Sequence, residues 1–137
     1  MPDRLVLDSS VIAALFFFHG SSSERADDAV AEKDLITLDL AIAEVGNVAS
    51  KRVVHFKEDR ELTDLALQRC IAFILEACDL IAARDLAKDA FRISVNDGIP
   101  FYDSLFLAAS EREKAPLMTM DRRLCKKAKE KRDVRMI

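Results

Sequence analysis

Short runs of branched apolar residues alternate along the chain with longer stretches in which apolar positions recur every three or four residues. The first pattern is that of buried strands and the second that of amphipathic helices. Arg4 to Leu7 is a strand ending in Asp8, and Ser9 to Phe17 follows as a helix opened by a polar residue. The Gly20 to Ser23 cluster breaks the pattern, and Glu24 to Ala31 resumes it as helix. Asp34 to Leu38 is a second strand. Leu40 to Phe56 and Asp59 to Leu75 both have helical periodicity and are expected to pair as a hairpin. Asp79 to Ala82 is a weak third strand, followed by a helix from Arg84 to Val95 and a turn over Asn96, Asp97, Gly98 and Pro100. A helix from Asp103 to Lys114, a strand from Pro116 to Met120, a helix from Asp121 to Glu130 and an edge strand from Val134 to Ile137 complete the series.

Strands separated by helices imply an α/β fold, with a parallel sheet covered on both faces. In such sheets ligands bind beyond the carboxyl ends of the strands. Repeats, low-complexity tracts and linkers are absent, so residues 1–137 are expected to form a single domain.

Composition narrows the class. Of the 137 residues, 50% are hydrophobic and 33% charged, which suits one globular domain with a sizeable core. No apolar run reaches the ~18 residues of a membrane span, and the start MPDRLVLD places an acid where a secretion signal has its apolar run. A cytoplasmic protein is expected. Cys70, Cys78 and Cys125 are odd in number and lack Cys-x-x-Cys spacing, which argues for small buried hydrophobes over disulfides or a zinc clip.

The net charge of −3 conceals a polarity. From Asp121 to Ile137 eight basic side chains face three acidic ones, a local +5, which leaves thirteen basic and twenty-one acidic, or −8, elsewhere. A basic end beside acids suits a polyanion held near a metal, although a solvated helix face explains the lysines equally well.

The acids gain meaning from the strand-end rule. Asp8 directly follows the first strand and Asp121 the strand that ends at Met120, so both are expected at one edge of the sheet. Asp103 opens the helix before that strand, and Glu44 shares an apolar helix stripe with Ala41, Val45 and Val48. Each aspartate also stands where an N-cap is expected, and Glu44 has Lys51 and Arg52 within one or two turns as ion-pair partners. Gathered together, however, the four acids would repel. Two carboxylates ~4 Å apart do so by ~4 kcal/mol at an effective dielectric near 20, and a cation removes that cost. The donors are all oxygen, while His19 and His55 lack metal-ligand spacing, so Mg²⁺ or Mn²⁺ is favoured over Zn²⁺.

Four segments, LVLDSSVIAAL, LAIAEVGNVASKR, IPFYDSLFLAASER and PLMTMDRRL, in that order and spacing, resemble the PIN domain, especially the toxin ribonucleases of VapBC-type toxin–antitoxin pairs. The resemblance spans essentially the whole chain. It implies a three-layer α/β/α fold with a central, mainly parallel sheet of about five strands. It also implies a metal-dependent endoribonuclease in which Asp8, Glu44 and Asp103 match the three central metal-binding acids and Asp121 the fourth. Ser9, Asn47 and Thr119 match polar positions that orient carboxylates or water. Arg122, Arg123, Lys126 and Lys127 are candidate phosphate contacts to RNA. The implied partners are a second copy of the chain and a VapB-type antitoxin.

Other functions fit parts of the pattern. A stand-alone RNA-processing PIN nuclease shares the site and lacks the antitoxin. A metal-dependent phosphatase or phosphoacceptor domain also uses acids at strand ends, but calls for a second Asp two residues after the first, where this chain has Ser10. A silent binding module has no need of four acids. Phe16, Phe17 and Phe18 cannot all face one core, since consecutive helix residues lie ~100° apart; one of them is expected to meet a partner surface or a covering loop.

Overall fold

Leu5, Val6 and Leu7 are all buried, as the centre of a sheet covered on both faces requires. They belong to β1 (Arg4–Leu7), the middle strand of a five-stranded sheet. The structure is a computed structural model and describes residues 3–137; Met1 and Pro2, the head of the MPDRLVLD start, lie outside the described residues. After β1 come α1 (Ser9–Phe17), α2 (Ser21–Val30), β2 (Asp34–Leu38), α3 (Leu40–Val54), α4 (Arg60–Ala77) and β3 (Cys78–Ile81). Then follow α5 (Ala83–Asp97), α6 (Phe101–Glu113), β4 (Leu117–Thr119), α7 (Arg122–Ala128) and β5 (Val134–Met136).

The strand order is β3-β2-β1-β4-β5, and every neighbouring pair is parallel. Helices separate the strands because a parallel connection needs a crossover. The registers Val6 with Ile36 and Leu7 with Met118 align the strand ends at one edge. The main buried cluster runs through β1, β2, α1, α5 and the α6 segment Leu105 to Ala109. Helices α3 and α4 pack together as the expected hairpin.

Most element ends shift by one to three residues from the sequence expectation, and some of these shifts have a clear local reason. Helix α2 begins at Ser21, not Glu24, because Gly20 at φ 78° makes the sharp turn alone and frees the serines to be helical. Helix α6 begins at Phe101, not Asp103, because Pro100 with its fixed φ serves as N-cap. Strand β4 stops at Thr119, since the Met120 amide donates to the Ser10 hydroxyl. Asn96 and Asp97, expected in the turn, instead end α5, because the chain reverses only at Gly98, which takes the left-handed region and whose amide closes on the Ser94 carbonyl.

Cys70 and Cys78 are buried and Cys125 is half-buried, all three free. Burial pushes the Cys70 thiol up to about 12 and that of Cys78 to about 11, so both stay protonated and unreactive at neutral pH. Among the described residues, no helix is long and apolar enough to cross a membrane.

Candidate active site

The chain lays β2 and β3 on one side of β1, then returns to place β4 on the other. That reversal opens a crevice beyond the carboxyl ends of β1 and β4, where open parallel sheets bind ligands. Asp8 follows β1 at this edge and Asp121 lies two residues past the end of β4.

Both aspartates are helix N-caps. Asp8 Oδ1 accepts from the amides of Ser10 at 3.1 Å and Val11 at 3.3 Å, and also from the Ser10 hydroxyl. Asp121 Oδ1 accepts from the amides of Arg123 at 2.9 Å and Leu124 at 3.2 Å. In each case the capping bonds fall on one oxygen, so capping and metal ligation are compatible roles and not rivals. Asp103 is the third residue of α6 and half-buried, so the partial positive charge of the helix start favours its carboxylate. Glu44 is half-buried on α3 beside the buried Ala41 and Val45, and its Oε1 accepts from the Ser9 hydroxyl at 2.7 Å. It makes no ion pair with Arg52, whose guanidinium grips Glu58.

Asp8 and Asp103 are both held above the ordinary carboxylate range. Burial is the first cause that raises Asp103, and Asp121 and Glu44 raise it further by charge repulsion. Asp8 is buried and its pKa is raised to about 6, chiefly by desolvation. Hydrogen bonds from Ser10, Thr119 and the Val11 amide oppose that rise, and repulsion from Asp103 adds to it. Asp103 thus lies within reach of the charges of Asp121 and Glu44, and Asp8 within reach of that of Asp103. Among the described residues no three acidic, histidine or cysteine side chains already stand at coordination spacing. His19 and His55 are both exposed.

Of the polar residues singled out from sequence, Ser9 holds Glu44 and the fully buried Thr119 accepts from the Asp121 amide at 3.0 Å while also hydrogen-bonding Asp8. Asn47 is exposed on α3 and shares a cavity wall with Glu44. Sequence reasoning missed Ser10. Its hydroxyl donates to Asp8 and accepts from the Met120 amide at 2.9 Å, joining the ends of β1 and β4. A serine two residues after a capping aspartate was the available signal.

The basic end is less basic than its count. Arg132 is bound to Asp97 and Glu111, Lys131 to Asp97 and Arg135 to Asp133. Lys127 donates to the Gly98 carbonyl at 3.1 Å. Among the described residues Arg122, Arg123 and Lys126, on the helix that Asp121 caps, are exposed and have no ion-pair partner.

Comparison with known proteins agrees with this architecture. The PIN domain family model matches residues 5–130. The chain is 33% identical over 125 residues to "Ribonuclease VapC3" of Pyrobaculum aerophilum, covering 90% of this chain and 94% of that one. The crystal structure of PAE2754 from Pyrobaculum aerophilum superposes with a TM-score of 0.70 at 25% identity, covering 93% of this chain and 81% of the other. A toxin–antitoxin complex from Klebsiella pneumoniae shares the fold with a TM-score of 0.71 at 16% identity, covering 96% and 95% of the two chains.

Proposed function

The chain belongs to the PIN-domain family, and from that membership we propose that it is a Mg²⁺- or Mn²⁺-dependent endoribonuclease, the toxin of a type II toxin–antitoxin pair. The observation that carries the reading is the placement of Asp8 and Asp121 just past the carboxyl ends of β1 and β4 at the strand-order reversal, with Glu44 tied to Ser9 beside Asp8. The donor set fits a hard cation: four carboxylates, no nitrogen or sulfur, and a buried Asp8 that resists ionising unless positive charge is near.

In this reading Asp8 and Asp103 hold the cation, Glu44 contributes directly or through water, and Asp121 completes the set. When bound, the cation neutralises the carboxylates and supplies the electrophilic charge that phosphodiester hydrolysis needs. The chain does the positioning. Ser9 fixes Glu44, while Ser10 and Thr119 fix Asp8. Arg122, Arg123 and Lys126 draw the RNA backbone to the crevice, with Lys127 beside them. Ser10, tied to Asp8 and the Met120 amide, fills the position where a phosphoacceptor domain needs its second acid.

Partner binding belongs to the proposal as well. Phe91 and Val95 on α5 and Phe101 and Tyr102 on α6 are exposed on two helices packed together, an apolar surface suited to a second copy of the chain. Ultracentrifugation at micromolar concentration is expected to show a dimer. A small DNA-binding protein encoded next to this chain is expected as antitoxin; its absence favours a stand-alone RNA-processing nuclease.

The decisive experiment is a Mg²⁺ titration of partner-free protein with labelled RNA and an EDTA control. Asp8→Asn and Asp103→Asn are each expected to lower cleavage at least ~100-fold with an unchanged circular dichroism spectrum, the scale seen when a charge-stabilising group is removed. Undiminished cleavage by both variants rejects the assignment.

A further inference from the structure

We infer that the cavity beside the carboxylates is a subsite for one unpaired nucleobase next to the scissile phosphate, with Phe18 as its stacking platform. This inference rests on the endoribonuclease reading. The cavity, of about 550 Å³, is lined by the apolar side chains of Ala13, Phe18, Val48 and Met120, with Glu44 and Asn47 on its wall. Its volume lies within the ~300–1,000 Å³ of small-molecule sites.

Of the three consecutive phenylalanines, Phe17 is buried in the core and Phe16 packs on Phe73 at 5.4 Å between centroids. Phe18 alone stays 39% exposed, at the end of α1 and on the rim of this cavity. It is nonetheless braced, because the Arg52 guanidinium, itself held by Glu58, lies 5.5 Å from its ring centroid. A fixed, half-exposed aromatic ring is what a base stacks on.

Charge selects the occupant. No basic residue lines the cavity among the described residues, and Glu44 borders it, so a phosphate is repelled while a neutral base is admitted. Asn47 offers both a donor and an acceptor for a base edge. Glu44 belongs to the carboxylate group and to the cavity wall alike, so the base pocket begins where the phosphate site ends. Bases in a duplex are stacked and cannot enter, and the subsite therefore selects single-stranded RNA.

The chain has no tryptophan, so Phe18→Trp supplies a single tryptophan at the platform, excited selectively over Tyr102. Titration of this variant in Mg²⁺ with a single-stranded phosphorothioate RNA octamer is expected to quench its emission saturably. The matching duplex is expected to leave it unchanged. Phe18→Ala should weaken octamer binding about tenfold or more by fluorescence anisotropy, Phe18→Tyr should restore it, and the Mg²⁺-induced thermal shift should not change in either. Equal quenching by the duplex, or wild-type affinity in Phe18→Ala, overturns the subsite. So does a wild-type dimer that Phe18→Asp converts to monomer, which assigns the cavity to a second copy. Quenching without Mg²⁺-dependent cleavage keeps the subsite and rejects the nuclease; cleavage without quenching does the reverse.

Discussion

Ser10 ties Asp8 to the neighbouring strand: its hydroxyl donates to Asp8 Oδ1 and accepts the Met120 amide at 2.9 Å. One side chain thereby fixes the carboxylate that follows β1 and the backbone that leads from β4 to Asp121. Ser10→Ala deprives a buried carboxylate of a donor and strands an amide. Loss of one such buried partner costs ~1–3 kcal/mol. Urea denaturation in EDTA should show a destabilisation of that size, and Ser10→Thr should recover part of it. An unchanged midpoint in Ser10→Ala removes Ser10 from the site.

Asp8 predicts an unusual pH dependence of stability. Its folded pKa of about 6 lies above the ordinary value of 3.8, so the fold favours the neutral carboxyl. The associated stability is present below about pH 4 and lost as pH rises through about 6. Two pH units correspond to ~3 kcal/mol at ~1.4 kcal/mol each. Asp8→Asn keeps an oxygen acceptor and never ionises, so it should be more stable than the wild type at pH 7.5 in EDTA, by ~1–3 kcal/mol, and about equal at pH 4. A variant less stable at pH 7.5, or a difference independent of pH, contradicts the raised pKa.

The same carboxylate links cation binding to protons. Mg²⁺ must displace a proton from Asp8 below about pH 6, so affinity should fall as pH drops through that value. A ligand that binds only the folded state at 100 times its Kd stabilises by ~2.7 kcal/mol. The melting temperature should therefore rise with Mg²⁺ clearly at pH 7.5, weakly at pH 5, and hardly at all in Asp103→Asn. An equal rise at both pH values would disconnect Asp8 from the cation.

The alternation of short apolar runs with helical periodicity makes the parallel sheet legible in the sequence, and the strand-end rule places Asp8 and Asp121 at one edge. Glu44 stood out because a carboxylate on an apolar stripe needs a partner, and that partner is Ser9. What stayed hidden depends on contacts distant in sequence. Nothing local to Ser10 reports that it accepts from Met120, 110 residues away. Nothing in the run from Asp121 to Ile137 reveals that Asp97 and Glu111 hold Arg132, from 35 and 21 residues away. The cavity joining Phe18 to Met120 was hidden for the same reason. The α6 boundary was missed because Pro100, placed in a turn, turned out to cap the helix.

That division of the basic end separates RNA contacts from structural charges. Arg122, Arg123 and Lys126 are exposed beside the Asp121 cap and are unpaired among the described residues, whereas Arg132 is held by two acids with only 17% of its side chain exposed. Each phosphate contact to a single strand contributes ~0.7 to the slope of log affinity against log salt. Replacing Arg122, Arg123 and Lys126 together by alanine should flatten that slope by up to ~2 and weaken RNA binding at low salt. Arg132→Ala should instead lower the melting temperature, because Asp97 and Glu111 lose their shared cation, and leave the slope unchanged. Fluorescence anisotropy from 50 to 300 mM KCl reads the slopes directly. Were Arg132→Ala to flatten the slope as much as the triple variant, the phosphate track would have to be moved from the start of α7 to the far end of the basic segment.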